Sequence, residues 1–369
     1  MHRPQSTAES TPPLQLWLRT HGRQALLLAA LYFLFGHASF LVRVDDVLVT
    51  PVLFAPEGIA LAMALRFGAA VWPGVFAGQL ALALSRGLAP WPAASISVIN
   101  SLEAVLAVWL FRSLKLDAGL PRARDLAGLL LLVFFVLQPF SATFGNATLW
   151  AAGIVDRAEL SSSWLNWWIG NSFGQMLVAP LLLALFAGGR TKLQTAGDFL
   201  VPVLAISPVV WIADFLLRST GVSSLLVVLA PILVLLALYR GLIAVCVGAL
   251  AIAVSALYAT SHAFGPFVVD GQANIPDLNL FIIGLALSGQ FLAAFLRQTK
   301  EQQRIADELR ADRERLQQTA YELTENIPVG TYVLEFDETG APRFTFVSDR
   351  FLAMTGLTRE EVMANHAMA

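Results

Sequence analysis

The chain has 369 residues, of which 57% are hydrophobic and only 14% are charged, and its mean hydropathy is +0.67. A soluble domain has about 45–50% apolar and about 25% charged residues, so this composition excludes an ordinary soluble protein and indicates a membrane protein. The net charge of −2 without a long basic tract argues against a nucleic-acid partner, and the single cysteine, Cys246, excludes an internal disulfide.

Apolar stretches that approach the length of a membrane span recur ten times before Arg297, where charged residues become frequent. A helix needs about 20 residues to cross about 30 Å of hydrocarbon. The predicted spans are 24–42, 52–66, 69–86, 93–111, 125–150, 163–187, 199–217, 223–239, 241–262 and 278–296. The second and third spans, and the eighth and ninth, nearly touch, so either pair could be one kinked or re-entrant segment. The sequence therefore predicts an all-α polytopic membrane protein with ten transmembrane helices, or eight as the alternative.

The charges of the short loops predict the orientation of this bundle, because Lys and Arg in such loops stay cytoplasmic. With the N-terminus inside, one set of loops holds Arg66, Arg112, Lys115, Arg122, Arg124, Arg190, Lys192, Arg240, Arg297 and Lys300. The opposite set holds Asp45, Asp46, Asp156, Glu159, Asp270 and Asp277. Four single arginines are exceptions that lie at span ends or beside acids, where a long side chain can reach the interface: Arg43, Arg86, Arg157 and Arg218. Both termini are therefore predicted to be cytoplasmic.

Several polar residues lie inside the apolar spans and are the candidate ligand-binding residues. They are Glu57, Gln79, Asn100, Glu103, Asn171, Gln175 and Asp214. Unpaired polar groups are costly in hydrocarbon, so these side chains are expected to face the bundle interior. Two pairs of glycines four residues apart, Gly170 with Gly174 and Gly74 with Gly78, predict close helix contacts beside them. Three interpretations stay open: hydrogen-bonded glue between helices, a ligand pocket, and a proton or ion path.

Histidine and tryptophan give weaker signals. His37 and His262 do not repeat at ligand spacing, so no metal site is predicted, and the cofactor is left unknown because a bis-histidine site stays open. Most tryptophans lie near predicted span ends, which is typical of interfacial anchors. They are Trp72, Trp91, Trp109, Trp150, Trp164, Trp167 and Trp168.

Four motifs in a fixed order resemble a known family. The stretches PEGIALAMALRFGAAVWPGVFAGQLAL, NSLEAVLAVWLF and WWIGNSFGQMLVAPLLL look like the bacterial membrane-associated sensor family of the first type, the MASE-one domain. The motifs are Pro56–Gly58, Trp72–Gly74, Asn100–Ala104 and Trp167–Gly174, the last followed by Ala179–Pro180. Asn171 stands where relatives often carry an acid. The resemblance implies a sensory module of the inner membrane that precedes histidine kinase, diguanylate cyclase or phosphodiesterase domains.

The cytoplasmic tail begins with a helix that has heptad spacing. Ile305, Leu309, Leu316 and Leu323 fall at a and d positions, with Asp312 and Thr319 as polar interruptions. This spacing predicts a signalling coiled coil and a parallel homodimer, although a single solvated helix is the alternative. From about residue 325 the pattern reads strand, turn, strand and short helix, and SDRFLAMTGLTREEV resembles the opening of a PAS domain. A PAS fold needs roughly twice this length, so we expect an incomplete α/β fragment that is poorly ordered.

The expected organisation is a cytoplasmic segment 1–23, a sensor domain 24–297, a coiled-coil helix 298–325 and a PAS fragment 326–369. The expected function is sensory input to a two-component or cyclic di-GMP signalling protein. The partners are the lipid bilayer, a second copy, and either a small-molecule ligand or another membrane protein. A transporter that uses Glu57, Glu103 and Asp214 is the alternative, and a membrane enzyme is less favoured because no catalytic motif appears in the spans.

Overall fold

The protein is described from a computed structural model that covers residues 13–41, 53–189, 191–220, 228–269, 271–326, 329–336 and 340–364. It forms two units, Met1–Gln298 and Thr299–Ala369. In the described ranges, the first unit is helical apart from one short hairpin, and the second contains the end of the helix Ile275–Asn326, a hairpin and two short helices.

Helices occupy all ten predicted spans. They are α1 (Pro13–Ser39), α2 (Ala55–Phe67), α3 (Trp72–Ser85), α4 (Pro90–Ser113), α5 (Ala123–Leu132), α6 (Gln138–Ala151), α7 (Leu160–Phe186), α8 (Lys192–Thr220), α9 (Leu229–Tyr239), α10 (Leu242–Ser261) and α11 (Ile275–Asn326). A π-helical turn, Val133–Leu137, joins α5 and α6 into one continuous span. The all-α polytopic class is thus confirmed.

Not every helix is long enough to cross a bilayer alone. Among the described residues, six helices are long and apolar enough to do so: α4, the continuous α5–α6, α7, α8, α10 and α11. By contrast α2, with 13 residues, is about 20 Å long, and α9 has only 11 residues. The count of ten full spans therefore stays a prediction.

Glycines separate the closely spaced helices. Gly68 between α2 and α3 has φ of 90°, and Gly241 between α9 and α10 has φ of 83°. Both values lie in the region that side chains disfavour, so glycine permits the abrupt break at each point. Prolines near the first turns of α2, α3 and α4 then start those helices, because their missing N–H groups would be unpaired there in any case.

The second unit carries the predicted strand pattern. Strand β3 (Tyr332–Phe336) pairs antiparallel with β4 (Pro342–Val347), followed by α12 (Asp349–Thr355) and α13 (Arg359–Ala364). In the first unit, the two-residue strands β1 (Val268–Val269) and β2 (Gln272–Ala273) precede α11 and form the short hairpin. A small core of Phe344, Val347 and Val362 holds the second unit together.

Candidate functional site

The start of α2 is docked on the middle of α7 through glycine. The backbone N–H of Phe54 donates to the carbonyl of Gly170 at 3.0 Å. One turn further along α7, a Cβ on Gly174 would overlap the Phe54 carbonyl, and a Cβ on Gly58 would overlap the Gly174 carbonyl. The close contact predicted for Gly170 and Gly174 is confirmed, and it places Glu57, in the first turn of α2, inside the bundle. A carboxylate there is favoured by the positive end of the helix dipole.

Glu57 is the acceptor at the centre of a first buried network. The Tyr32 hydroxyl of α1 donates to Glu57 Oε1, and Asn100 Nδ2 of α4 donates to the same oxygen at 2.8 Å. The Asn100 amide also donates to the Tyr32 hydroxyl at 3.2 Å, and its Oδ1 accepts from Ser141 Oγ of α6 at 3.2 Å. We call Tyr32, Glu57, Asn100 and Ser141 the Glu57 network.

Trp167 extends this network and is not an interfacial anchor. Its indole N–H donates to Ser141 Oγ at 3.3 Å, and its side chain is buried. Gly145 provides the space, since a Cβ there would lie 2.7 Å from the indole ring. The interfacial interpretation is therefore wrong for Trp167, because a hydrogen-bond acceptor and a glycine recess exist for it within the bundle. Trp72, Trp91, Trp109 and Trp150 are exposed, as an interfacial position requires.

A second buried group surrounds Glu103. Gln138 Nε2 of α6 and Gln175 Nε2 of α7 each donate to Glu103 Oε1 at 2.7 Å. We call these three residues the Glu103 cluster. Each lies within two residues of the midpoint of its transmembrane segment, so the cluster is expected near the centre of the bilayer. The Glu103 carboxyl is close enough to Glu57 for the two to interact electrostatically.

The position of Gln138 depends on the π turn before it. Pro139, the second residue of α6, has no N–H to donate one turn back, and the five residues Val133–Leu137 are wound more widely. Such single π turns often occur at functional sites, where they rotate the following residues relative to a regular helix. Here Gln138 and Ser141 follow the turn, and they hydrogen-bond to Glu103 and Asn100, respectively.

The structure brings together four of the seven candidate residues: Glu57, Asn100, Glu103 and Gln175. Gln79 and Asn171 are buried, but neither has a hydrogen bond to the cluster, and the side-chain oxygen of each has no hydrogen-bond partner in the described part of the chain. The side chain of Asp214 lies outside the described residues. Gly74 and Gly78 pack against α1 as predicted, with a Cβ on Gly78 meeting Tyr32 Cβ at 2.7 Å.

Sequence reasoning missed Tyr32, Gln138, Ser141 and Trp167. Gln138 had a usable signal, because a glutamine next to a proline in the apolar stretch LLLLVFFVLQPF is as unusual as Gln175. Tyr32 had none, since a tyrosine in an apolar helix is usually assigned to packing or to the interface.

The histidines make local contacts. His37 Nε2 is 3.1 Å from Ser85 Oγ, and His262 Nδ1 is 2.9 Å from the Tyr258 carbonyl. Within the described ranges, no group of three or more His, Cys, Asp or Glu residues could hold a metal ion.

Comparison with known families gives a match over most of the chain. The model of the MASE1 family matches residues 21–300. The chain belongs to the MASE1 family. MASE1 domains are membrane-associated sensory domains of signalling proteins, so this chain is a multi-pass membrane protein with a sensory role. Searches of curated proteins and of solved structures found no match. All residues of the Glu57 network and the Glu103 cluster lie within the matched MASE1 range.

Proposed function

We propose that this MASE1 chain is the sensory input part of a bacterial signalling protein of the inner membrane, with both termini in the cytoplasm. A stimulus changes the Glu57 network and the Glu103 cluster, and α11 passes the change to cytoplasmic PAS and output domains. The output is of the histidine kinase class or of the class that makes or degrades cyclic di-GMP.

A hydrogen bond between α7 and α11 carries this proposal. Gln290 Nε2 of α11 donates to the backbone carbonyl of Met176 at 3.0 Å, and Gln290 is fully buried. Met176 directly follows Gln175, which belongs to the Glu103 cluster. A change in the cluster that moves α7 can therefore act on α11 through this bond, besides the apolar core that the two helices share.

The length of α11 supports transmission beyond the bilayer. The helix runs from Ile275 to Asn326 without a break, and 52 residues span about 78 Å. Its first part is apolar, while the part after Arg297 carries exposed ion pairs such as Arg304 with Glu301 at 2.6 Å. A continuous helix can pass a shift or a rotation along its axis.

The predicted heptad seam supports a parallel homodimer. Ile305, Leu309, Leu316 and Leu323 are between 46% and 71% exposed in the single chain, on a helix surface that is mostly charged or polar. Four large apolar side chains at a and d positions gain burial when a second copy aligns beside them.

The first test replaces the carboxyl of the Glu103 cluster in the full-length protein. The change Glu103→Ala leaves the donors of Gln138 and Gln175 without their acceptor, and is expected to alter signalling output by about five-fold or more. The amount of protein in the membrane should stay at the wild-type level. Loss of the protein from the membrane would instead indicate that Glu103 only holds helices together.

The second test removes the bond between α7 and α11. Gln290→Leu should make signalling output insensitive to Glu103→Ala. A change in the cluster then still reaches α7, but α7 no longer has its hydrogen bond to α11. Ser288→Ala on the exposed side of α11 is the matched control, since its hydroxyl bonds to the Gly284 carbonyl of its own helix. An effect of Glu103→Ala that persists in the Gln290→Leu background would exclude this route.

A flux assay separates this proposal from the transporter alternative. Sealed vesicles that contain the protein are expected to show no solute transport by residues 21–298. Transport that continues after removal of residues 299–369 would favour a permease.

A further inference from the structure

The Glu103 cluster contains four acceptor oxygens and two amide nitrogens. Both amide nitrogens donate to one oxygen, Glu103 Oε1. Glu103 Oε2, Gln138 Oε1 and Gln175 Oε1 have no hydrogen-bond partner in the part of the chain that the structure describes. These side chains are 1%, 0% and 2% exposed, respectively, so bulk water does not satisfy the three oxygens.

Each of the three unpartnered oxygens lies near Glu103 Oε1. The C=O and C–N bonds of an amide together measure about 2.6 Å, so the nitrogen and oxygen of one amide are no farther apart than this. With each nitrogen 2.7 Å from Glu103 Oε1, both amide oxygens lie within about 5 Å of that atom. Glu103 Oε2 belongs to the same carboxyl group. The cluster therefore presents three acceptor oxygens in one small buried region.

The region also lacks positive charge. Glu57 and Glu103 interact with each other, and the groups that hydrogen-bond to them belong to Tyr32, Asn100, Gln138, Ser141 and Gln175, which are all neutral. Among the described residues, no Lys, Arg or His side chain pairs with either carboxyl. A buried carboxylate is normally paired with a cation.

We propose that the Glu103 cluster binds a small monovalent cation, through Glu103 Oε2 and the amide oxygens of Gln138 and Gln175. An alkali metal ion takes oxygen ligands of this kind, and an ammonium group offers only donors, which match the three acceptors. One carboxylate with two neutral amides gives a single negative charge at the cluster, which fits a monovalent cation. This inference rests on the proposed function, since it names the class of ligand that acts at the same site.

Further unpartnered oxygens lie on α6 and α7 between the cluster and the loop that joins these helices. Asn171 Oδ1 lies one turn before Gln175 on α7, and Ser163 Oγ lies nearer the start of that helix. Asn146 Oδ1 is about 12 Å beyond Gln138 along α6, towards the loop that joins α6 to α7. The sequence predicts this loop on the outer face, so the cation would enter from outside.

The experiment measures thermal unfolding of the full chain in lipid nanodiscs, followed by tryptophan fluorescence. Sodium, potassium, ammonium and methylammonium chlorides are titrated against N-methyl-D-glucamine chloride at constant ionic strength. Binding to the folded state alone raises the midpoint with the logarithm of the cation concentration. We expect such a rise for at least one small cation and none for N-methyl-D-glucamine. A response to ammonium and methylammonium identifies a donor ligand, and a response to sodium or potassium identifies a metal ion.

Three variants test the location. Glu103→Gln, which keeps the shape of the side chain, should abolish the response. Gln175→Met removes one amide oxygen and should raise the concentration required by about ten-fold or more, which also keeps the test decisive if Glu103→Gln does not fold. Asn279→Leu is the matched control, because it removes a buried amide with an unpartnered oxygen on α11, and it should respond as the wild type does.

Equal responses of wild type and Glu103→Gln would overturn the inference, as would a wild-type midpoint that is the same in every salt. A midpoint that follows pH but not the cation would also overturn it, since a proton then neutralises the site. The proposed function is judged separately. If Glu103→Ala changes signalling output while no cation changes the midpoint, the sensory proposal stands and the cation inference fails.

Discussion

The carbonyl group of Phe54 lies directly against the Cα of Gly174, so the first turn of α2 and the middle of α7 are in backbone contact. This contact determines where Glu57 lies, because Glu57 is three residues after Phe54. We predict that Gly174→Ala pushes the start of α2 away from α7 and lowers the free energy of unfolding by about 1–3 kcal/mol, as overpacked sites do. Thermal unfolding in nanodiscs measures the change.

Gly284→Ala is the matched control for this prediction. Gly284 also lies in a transmembrane helix, but a Cβ there would meet nothing within 4 Å. The substitution is therefore expected to be neutral or to stabilise the protein by about 0.4–1 kcal/mol. Equal losses in the two variants would show that the cost comes from helix glycines in general and not from the contact with Phe54.

Tyr32 gives a second prediction, about the Glu57 network. Its hydroxyl both donates to Glu57 and accepts from Asn100, so Tyr32→Phe removes two hydrogen bonds and keeps the ring. We expect a loss of about 1–3 kcal/mol, the usual cost when buried partners lose a hydrogen bond. Tyr239→Phe, at an exposed tyrosine of α9, should change stability by less than about 0.5 kcal/mol. An unfolding midpoint unchanged by Tyr32→Phe would mean that Asn100 satisfies Glu57 without the phenol.

Much of the bundle could be predicted from the sequence because its signals are local. Apolar length placed a helix in each of the ten predicted spans, and the cost of polar groups in lipid identified Glu57, Asn100, Glu103 and Gln175 as interior residues. Spacing on one helix face also placed Asn100 beside Glu103. These inferences need only a residue and its near neighbours in the chain.

The partners of these residues could not be predicted, because they depend on contacts between distant helices. Tyr32 and Glu57 are 25 positions apart, and Glu103 and Gln175 are 72 apart. The π turn before Gln138 was also missed, since a proline in a helix predicts a kink but not which residues it rotates inward. Trp167 was wrongly assigned to the interface, because its burial depends on Gly145 of a neighbouring helix and its own stretch of sequence does not indicate that contact.

The third prediction concerns pH and the second unit. The Glu361 carboxylate accepts from the Thr358 backbone N–H at 2.8 Å and from the Thr358 hydroxyl at 2.9 Å, and these bonds lower the pKa of Glu361. A lowered pKa in the folded state means that the stabilisation is present above the usual glutamate range and is lost as pH falls through the folded pKa. Hydrogen exchange at the α13 amides, corrected for intrinsic rates, should therefore increase below about pH 4.

Two glutamine variants separate this effect from general acid unfolding. Glu361→Gln should remove the extra increase at low pH. Glu360→Gln, at the neighbouring carboxylate, should retain it. The same pH profile in both variants would show that the bonds to Thr358 do not control this helix.

The fourth prediction concerns the α11 seam, whose four apolar side chains are exposed in the described part of the chain. Leu316 is 71% exposed at a heptad a position, and a lysine there would place two charges opposite each other in a parallel pair. Leu316→Lys is therefore expected to convert the dimer to a monomer, as measured by mass photometry or by crosslinking in nanodiscs. Gln317→Lys adds the same charge one position outside the seam and should leave the dimer intact. A monomer in the wild type, or a dimer in both variants, would mean that α11 acts as a single solvated helix or that the copies associate elsewhere.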